Sequence, residues 1–419
     1  MPKTTNPEQS AQENQSAPWQ QQWDSALMPT YGTPQLELVR GEGSFVFDAN
    51  GAQYLDLLSG IAVNALGHAH PAIVRAVTEQ VSTLGHVSNN FAHPQVITLA
   101  TRLKGLIAQH LDGEWAHDPQ SAQVFFANSG AEANEAAFKI ARATGRTKIL
   151  AAERGFHGRT MGALALTGQP DKQQQFLPLP GGVEYYPYGD IEALRRMADE
   201  DTAAIVLESI QGETGVIPTP EGFLTEVRQL CDELGILMIV DEVQAGMGRT
   251  GAWFGYQVEQ IVPDVITLAK GLGGGMPIGA CIALPPAQLL VKGSHGTTFG
   301  GNPIACAAAN AVITTIEDEH ILDNVTEIGA YITSELEKDP SVTTIRGRGL
   351  MLGVVLDSPL EVDPLEYGVI INRPAPDVLR IVPPLNLSRE DARLGVEKIK
   401  KMLDDNRAAQ SGAPTKESE

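Results

Sequence analysis

Apolar positions fall into short continuous runs separated by longer amphipathic stretches. Residues 124–127, 149–152, 203–207, 236–240 and 265–269 are such runs, and each reads as a buried strand. Between them, apolar residues recur with helical spacing, as over 223–234, which Gly235 closes. Strand and helix alternate from about 120 to 285. That order predicts an open, mostly parallel sheet with helices on both faces. Several runs end in polar side chains: Glu208, Asp241-Glu242 and Lys270. Ligands of such sheets bind beyond the carboxyl ends of the strands, so these residues, the 128–131 turn and the 155–159 loop should meet there.

The flanks follow other rhythms. Residues 36–40 and 44–48 predict a hairpin, 54–58 another strand, and 72–84 and 94–110 helices. Gly67-His68-Ala69-His70-Pro71 lies between them. Its two histidines could chelate a metal, but no Cys or carboxylate pair completes a site, and Pro71 marks a loop that opens a helix. After Gly296-Thr297-Thr298-Phe299-Gly300-Gly301-Asn302-Pro303 comes an Ala-rich helix. Strands at 343–346 and 350–356 and a last helix at 389–403 then suggest a smaller unit. The division expected is a polar, unstructured tail over 1–26, an N-terminal segment over 27–75, a large domain over 76–316, a small domain over 317–407 and a second tail over 408–419.

Charge and cysteine content narrow the setting. The net charge of −21 repels nucleic acid and anionic membranes, so an anionic substrate must be met by local arginines. Three scattered cysteines make neither a disulfide framework nor a zinc site. No apolar run is long enough to span a membrane, and the start lacks a signal peptide, so a cytoplasmic enzyme is expected.

Lys270 stands at the end of an apolar strand, where an ammonium is costly unless paired or neutral. A lysine without its charge is a nucleophile; taken alone, Lys270 also reads as a strand-end side chain reaching back to water. Gly271 and Gly273 to Gly275 leave room for a flat group, or serve packing only. Ser129-Gly130-Ala131 opens a helix, which offers free N–H groups to an anion; plain capping by Ser129, with Glu132 completing a capping box, explains it equally. An apolar strand followed by Asp241-Glu242 also suits a nucleotide hydrolase, but the chain has no Gly-Lys pair for a phosphate loop. The glycines after Lys270 do not open a βαβ unit, which excludes a dinucleotide fingerprint. Together these residues suit pyridoxal 5'-phosphate. Lys270 would form an imine, the Ser129–Ala131 helix start would hold phosphate, Asp241 would keep the ring nitrogen protonated, and Phe156 would cover the ring.

The motifs Asn128-Ser129-Gly130-Ala131-Glu132-Ala133, Phe156-His157-Gly158-Arg159, Asp241-Glu242-Val243-Gln244, Ala269-Lys270-Gly271 and Thr297-Thr298-Phe299-Gly300-Gly301-Asn302-Pro303 resemble those of class III aminotransferases. The resemblance covers about residues 27–405. Within the class it is strongest to bacterial acetylornithine aminotransferases, supported by Ala62-Val63-Asn64-Ala65-Leu66-Gly67-His68 and Arg346-Gly347-Arg348-Gly349-Leu350-Met351. It implies an α/β enzyme of pyridoxal-phosphate fold type I, with a large domain and a smaller α+β domain built from both chain ends. It implies a homodimer with active sites at the interface, and transfer of the δ-amino group of N2-acetylornithine to 2-oxoglutarate in arginine biosynthesis. Lys270 would then be the Schiff-base lysine and proton shuttle, and Asp241 the partner of the ring nitrogen. Gln244 would bond the ring hydroxyl oxygen, and Gly130 and Ala131 the phosphate. Thr298 would reach the phosphate in the neighbouring subunit. Arg159 would bind the far carboxylate of the substrate and Arg380 the α-carboxylate, with Glu213 pairing with Arg380 when that carboxylate is absent. Tyr31 is a further candidate substrate contact. His157 carries no assigned role. Ser209 after Glu208 and Ala245 after Gln244 depart from the usual pattern but remove no needed group. The alternatives are an ω-transaminase of ornithine, 4-aminobutyrate or succinylated amino acids, a pyridoxal enzyme of another reaction type, and a non-catalytic cofactor-sensing domain. The last would need a basic DNA-binding module that the N-terminal residues do not supply.

Overall fold

The computed structural model describes residues 17–113 and 118–411. Seven strands form the central sheet, in the order Gln123–Ala127, Gly279–Ala283, Val265–Leu268, Leu237–Asp241, Thr202–Glu208, Lys148–Ala152 and Val183–Tyr186. All are parallel except Gly279–Ala283, which runs against both its neighbours. The short apolar runs therefore became the buried strands expected of them, because a parallel sheet is covered on both faces.

Alternation within each strand divides the core. Met238 and Val240 join one apolar cluster, with Ile205, Leu207, Ile266 and Leu268. Leu237 and Ile239 join the other, with Ala204, Val206 and Val265, against Ala136, Ala137 and Phe138 of the Gly130–Ala143 helix. Side chains two apart share a face. Glu208, Asp241 and Thr267 therefore share the face that this helix covers. They are also in register on three adjacent strands.

Two smaller sheets flank this layer. Leu38–Glu42, Phe45–Asp48 and Gln53–Asp56 form an antiparallel meander, and Val369–Ile370 adds to it parallel to the third strand. Residues from both ends of the chain thus meet in one sheet. Val342–Arg348, Met351–Leu356, Val378–Ile381 and Asn372–Ala375 form a second, antiparallel sheet, in that order.

The structure corrects several expectations. Residues 1–16 and 412–419 of the two expected tails lie outside the described residues, but Pro18–Ala26 is a helix. It opens with proline at the first turn; Gln20 takes the Ala17 N–H at 2.8 Å and donates to the Pro34 carbonyl at 3.1 Å. It buries no residue, so it left no apolar signature. The final helix, Arg389–Ser411, runs past the expected end. The 94–110 helix stops at Leu106. His68 Nε2 bonds Asp56 at 2.8 Å, and His70 Nδ1 accepts the Ala72 N–H at 3.3 Å to cap the Pro71–Thr83 helix, whose start at Pro71 is as expected. Among the described residues no cluster of His, Cys, Asp and Glu could hold a metal.

Residues Ser59, Gly60, Ile61 and Ala62 all have positive φ, between 51° and 64°. A left-handed turn costs L-residues roughly 1–2 kcal/mol each and needs support. The Asp56 carboxylate supplies it by accepting the Leu58 and Ser59 N–H groups at 3.0 and 2.8 Å. Val63, just beyond the turn, is thereby set into the wall of a cavity at the carboxyl ends of the central strands.

Candidate active site

A cavity of about 440 Å³ lies at the carboxyl ends of the central strands. It is lined by Ser129, Gly130, Ala131, Phe156, Arg159, Glu213, Asp241, Gln244 and Lys270, so one site gathers nine of the twelve singled-out side chains. Arg380 stands behind Glu213. Tyr31 and Thr298 do not reach this cavity: Tyr31 is 95% exposed, and Thr298 lies on an exposed loop.

Lys270 follows the Val265–Leu268 strand at φ 41° and opens a single 3-10 turn. Left-handed backbone at a lysine is strained, and such strain collects at functional sites. Its amine is lowered to about 8 from the usual lysine value. Burial is the main cause and the nearby Arg380 cation the second; Asp241, Glu208 and Glu213 oppose them.

Asp241 is held on every side. Its Oδ2 accepts Nδ2 of Asn134 at 2.8 Å and Nδ1 of His157 at 2.7 Å, and its Oδ1 accepts the Val243 N–H at 2.9 Å. Burial pushes its carboxyl up, but the His157 bond and charge, with the other donors, win and hold it below the usual range. It remains an anion. Asn134 is in turn fixed because its Oδ1 accepts the Thr267 hydroxyl at 2.8 Å. His157 and Asn134 are the functional residues that sequence reasoning missed. The position of His157 in the 156–159 motif signalled importance, but its partner lies 84 positions away.

The Gly130–Ala143 helix begins at the cavity. Ser129 caps it, accepting the Glu132 N–H at 3.2 Å. The expected capping box is only half formed, because Glu132 accepts the backbone N–H of Asn128 instead. The first-turn N–H groups of a helix have no acceptor within it, and the helix dipole adds positive character there. Close packing sets this start: a Cβ on Gly130 would lie 2.8 Å from Val243, and one on Gly279 2.2 Å from the Ser129 carbonyl oxygen. Beyond Lys270, Gly275 lines the cavity, whereas a Cβ on Gly273 would strike the Met276 carbonyl oxygen at 2.1 Å. Only part of that glycine run serves clearance.

Other charges at and behind the cavity lining sit in a looser setting. Arg380 is buried; its Nη1 donates to the Gly212 carbonyl at 3.0 Å and to Glu213 Oε2 at 3.4 Å. Its Nε is buried without a partner. Arg159 is exposed, its guanidinium carbon 5.6 Å from the centre of the Phe156 ring, and no carboxylate pairs with it among the described residues.

A strand-end lysine of lowered basicity, an anionic aspartate and an open helix start in one cavity define a pyridoxal-phosphate site. The family comparison agrees: residues 28–403 match the class-III aminotransferase family, and the chain belongs to it. It is a transaminase, and pyridoxal 5'-phosphate is its cofactor. The chain is 56% identical over 389 residues to the acetylornithine aminotransferase of Corynebacterium efficiens, covering 91% of this chain and 96% of that one. It is 53% identical to the acetylornithine aminotransferase of Streptomyces coelicolor, covering 88% and 90%. Among solved structures, the N-acetylornithine aminotransferase of Stenotrophomonas maltophilia superposes with a TM-score of 0.76 at 35% identity, covering 91% and 99%. The ornithine aminotransferase of Toxoplasma gondii superposes at 0.84 and 30%, covering 93% and 94%.

The residues present fit the cofactor. Gln244 Oε1 is buried at the cavity without a partner, and so is free to take a hydroxyl proton. The helix start is backed by glycine contacts and suits a phosphate.

Proposed function

We propose that the chain moves the δ-amino group of N2-acetylornithine to 2-oxoglutarate, giving N-acetylglutamate 5-semialdehyde and glutamate, as a homodimer in the cytoplasm. The observation that carries this reading is Arg380: a buried guanidinium, anchored by the Gly212 carbonyl, with an unpartnered Nε and only a long bond to Glu213. It retains donor capacity for a carboxylate, and its local counter-ion is exchangeable. The similarity to acetylornithine aminotransferases over nearly the whole chain supports this donor.

Bound in this cavity, pyridoxal phosphate supplies a ring that accepts the electron pair released when a C–H bond of the substrate is broken. Gly130 and Ala131 would hold its phosphate through backbone N–H groups, with Ser129 fixing the helix start. Phe156 would cover the ring, and Gln244 would bond its hydroxyl. Asp241 would hold a proton on the ring nitrogen. Lys270 would anchor the cofactor and then accept and return a proton at Nζ; its lowered basicity suits a base working near neutral pH.

Acetylornithine brings a single carboxylate, remote from the reacting amine, and Arg159 would take it. Glutamate brings two and would engage Arg159 and Arg380 together, with Glu213 displaced. Bidentate arginine–carboxylate pairs are strong and directional. Because Gly212 holds Arg380 independently, the guanidinium would stay in place when Glu213 leaves.

The homodimer is supported by the residues that miss the cavity. Thr298 and Phe299 are exposed, as is Phe91; Phe299 lies 5.1 Å from the His86 ring, and Asn89 bonds the carbonyls of Thr297 and Gly300. A second copy covering this face would bring Thr298 to a partner's phosphate site. Tyr31 would act as a contact beside the completed site. No described helix is long and apolar enough to cross a membrane. An amino-donor panel with 2-oxoglutarate, followed at the absorption bands of the bound cofactor, tests the donor. Acetylornithine should lead; ornithine or 4-aminobutyrate leading would replace it.

A further inference from the structure

The Arg346-Gly347-Arg348 stretch supports the family resemblance, yet none of it lines the cavity. Arg346 lies in the smaller antiparallel sheet, opposite Gly353, and Gly353 lies opposite Arg380. Residues directly opposite on antiparallel strands share a face of the sheet. The two arginines therefore project from one face, about 10 Å apart across two strand spacings, with no side chain between them. The segment they flank is the one that carries Glu213. Ile210–Gln211 pairs antiparallel with Ile217–Pro218, so residues 212–216 are the turn of a short hairpin. Arg380 Nη1 donates to the Gly212 carbonyl at 3.0 Å, and Arg346 Nη2 donates to the Gly215 carbonyl at 2.8 Å. Gly353 is the seat between them: a Cβ there would lie 2.7 Å from the Gly215 carbonyl oxygen and 2.9 Å from Val216 Cβ. Among the described residues Arg346 has no ion pair, and its Nε is buried without a partner. Glu213 thus stands between two backbone carbonyls, each held by one arginine of the same ladder row.

We propose that Arg346 is a positioning residue for donor selection: with Arg380 it clasps both ends of the Glu213 turn and keeps Glu213 within reach of Arg380. The proposal rests on the exchange of Glu213 for a substrate carboxylate at Arg380. The Arg380–Glu213 contact is long, at 3.4 Å, and the Glu213 side chain is 36% exposed. Such a contact is too weak to order a free turn by itself, because every backbone residue fixed on closing costs conformational entropy. Carbonyls already held at 212 and 215 leave the backbone ordered beforehand, so only the Glu213 side chain has to move. Releasing the 215 end makes the closed pair less populated. Arg380 is then more often free for a carboxylate beside the reacting amine.

Single-turnover rates of the holoenzyme are measured by stopped flow with acetylornithine and with L-alanine, whose one carboxylate adjoins its amine. The ratio of the alanine rate to the acetylornithine rate should rise in Glu213→Ala. Arg346→Met removes the donor to Gly215 and should raise the ratio about three- to tenfold, the scale of coupling between residues in contact. Gly353→Ala leaves Arg346 intact but pushes a methyl onto the Gly215 carbonyl, and should raise the ratio too. In the Glu213→Ala background neither substitution should raise it further, a result that a general loosening of the sheet would not give. A ratio raised by Glu213→Ala but by neither of the other two would overturn the clasp alone. An equal rise with and without Glu213 would also overturn it, and leave Arg346 as a structural contact. A ratio unchanged in Glu213→Ala itself would overturn the exchangeable pair, and this proposal with it.

Discussion

The two charged walls of the cavity are built to opposite standards. Around Asp241, three donors, from the Gly130–Ala143 helix, the 155–159 loop and the turn after its own strand, converge at 2.7 to 2.9 Å, and the carboxylate is buried. Around Glu213, one bond of 3.4 Å reaches Arg380 and the side chain stays 36% exposed, while Arg159 has no carboxylate partner among the described residues. On the proposed reading the first wall would face a group that is the same in both half-reactions, and a fixed charge there needs no reorganisation during turnover. The second must accept two substrates of different charge. A tightly satisfied ion pair there would be costly to open, since an unpaired buried charge is expensive. Rigidity and looseness are thus apportioned by what each wall meets.

Substitutions along the rigid side should cost most. Lys270→Ala would remove the proposed anchor and proton carrier together, so turnover should fall by about 10⁴-fold. Borohydride should then fail to fix the cofactor to the protein, which mass spectrometry reads directly. Ordinary activity in that variant would remove Lys270 from the reaction. Asp241→Asn keeps the shape but not the charge. Its single-turnover rate should drop about 10²- to 10³-fold with the cofactor retained, the scale of losing a preorganised electrostatic group. A near-native rate would make Asp241 a structural strand end. On the loose side, Glu213→Ala should leave the glutamate half-reaction within a few-fold. It should also raise activity toward amines that carry an adjacent carboxylate, because Arg380 loses its competing counter-ion; a donor profile unchanged by the substitution would count against an exchangeable pair.

The smallest effect concerns stability. Glu242 points away from the cavity and accepts N–H groups of Gly255 and Tyr256 at 2.8 and 3.0 Å. Burial pushes its carboxyl up to about 7 against those bonds. The folded protein therefore holds a proton that the unfolded chain releases near its ordinary value. Stability from this group is full below that value and is lost as pH rises toward 7. Melting temperatures from about pH 4.5 to 7 should fall less steeply in Glu242→Gln than in wild type. Parallel slopes would show that Glu242 is not protonated in the fold.

The sequence made the central sheet legible because its strands are buried on both faces, and a run such as 236–240 has few other uses. Nine of the twelve singled-out residues line the cavity for a related reason: strand ends and the turns after them converge where the sheet stops. What stayed hidden depends on long-range partners. His157 matters through Asp241, Asn134 through Asp241 and Thr267, and Asp56 through the left-handed turn at 59–62. No local pattern encodes such pairings. The Pro18–Ala26 helix was missed because it turns no apolar face to the core. Tyr31 and Thr298 were singled out for a site that their own chain does not bring them to.

The division between the walls rests on Arg380 serving one half-reaction and Arg159 both. Stopped-flow measurement of each half-reaction in Arg380→Ala, with Arg159→Ala beside it, tests this directly. The glutamate half-reaction of Arg380→Ala should weaken by roughly 2–5 kcal/mol, the scale for truncating one partner of a buried charge pair, while the acetylornithine half-reaction stays close to wild type. Arg159→Ala should impair both. Equal losses in the two half-reactions of Arg380→Ala would contradict the account and reduce Arg380 to a structural or steering charge.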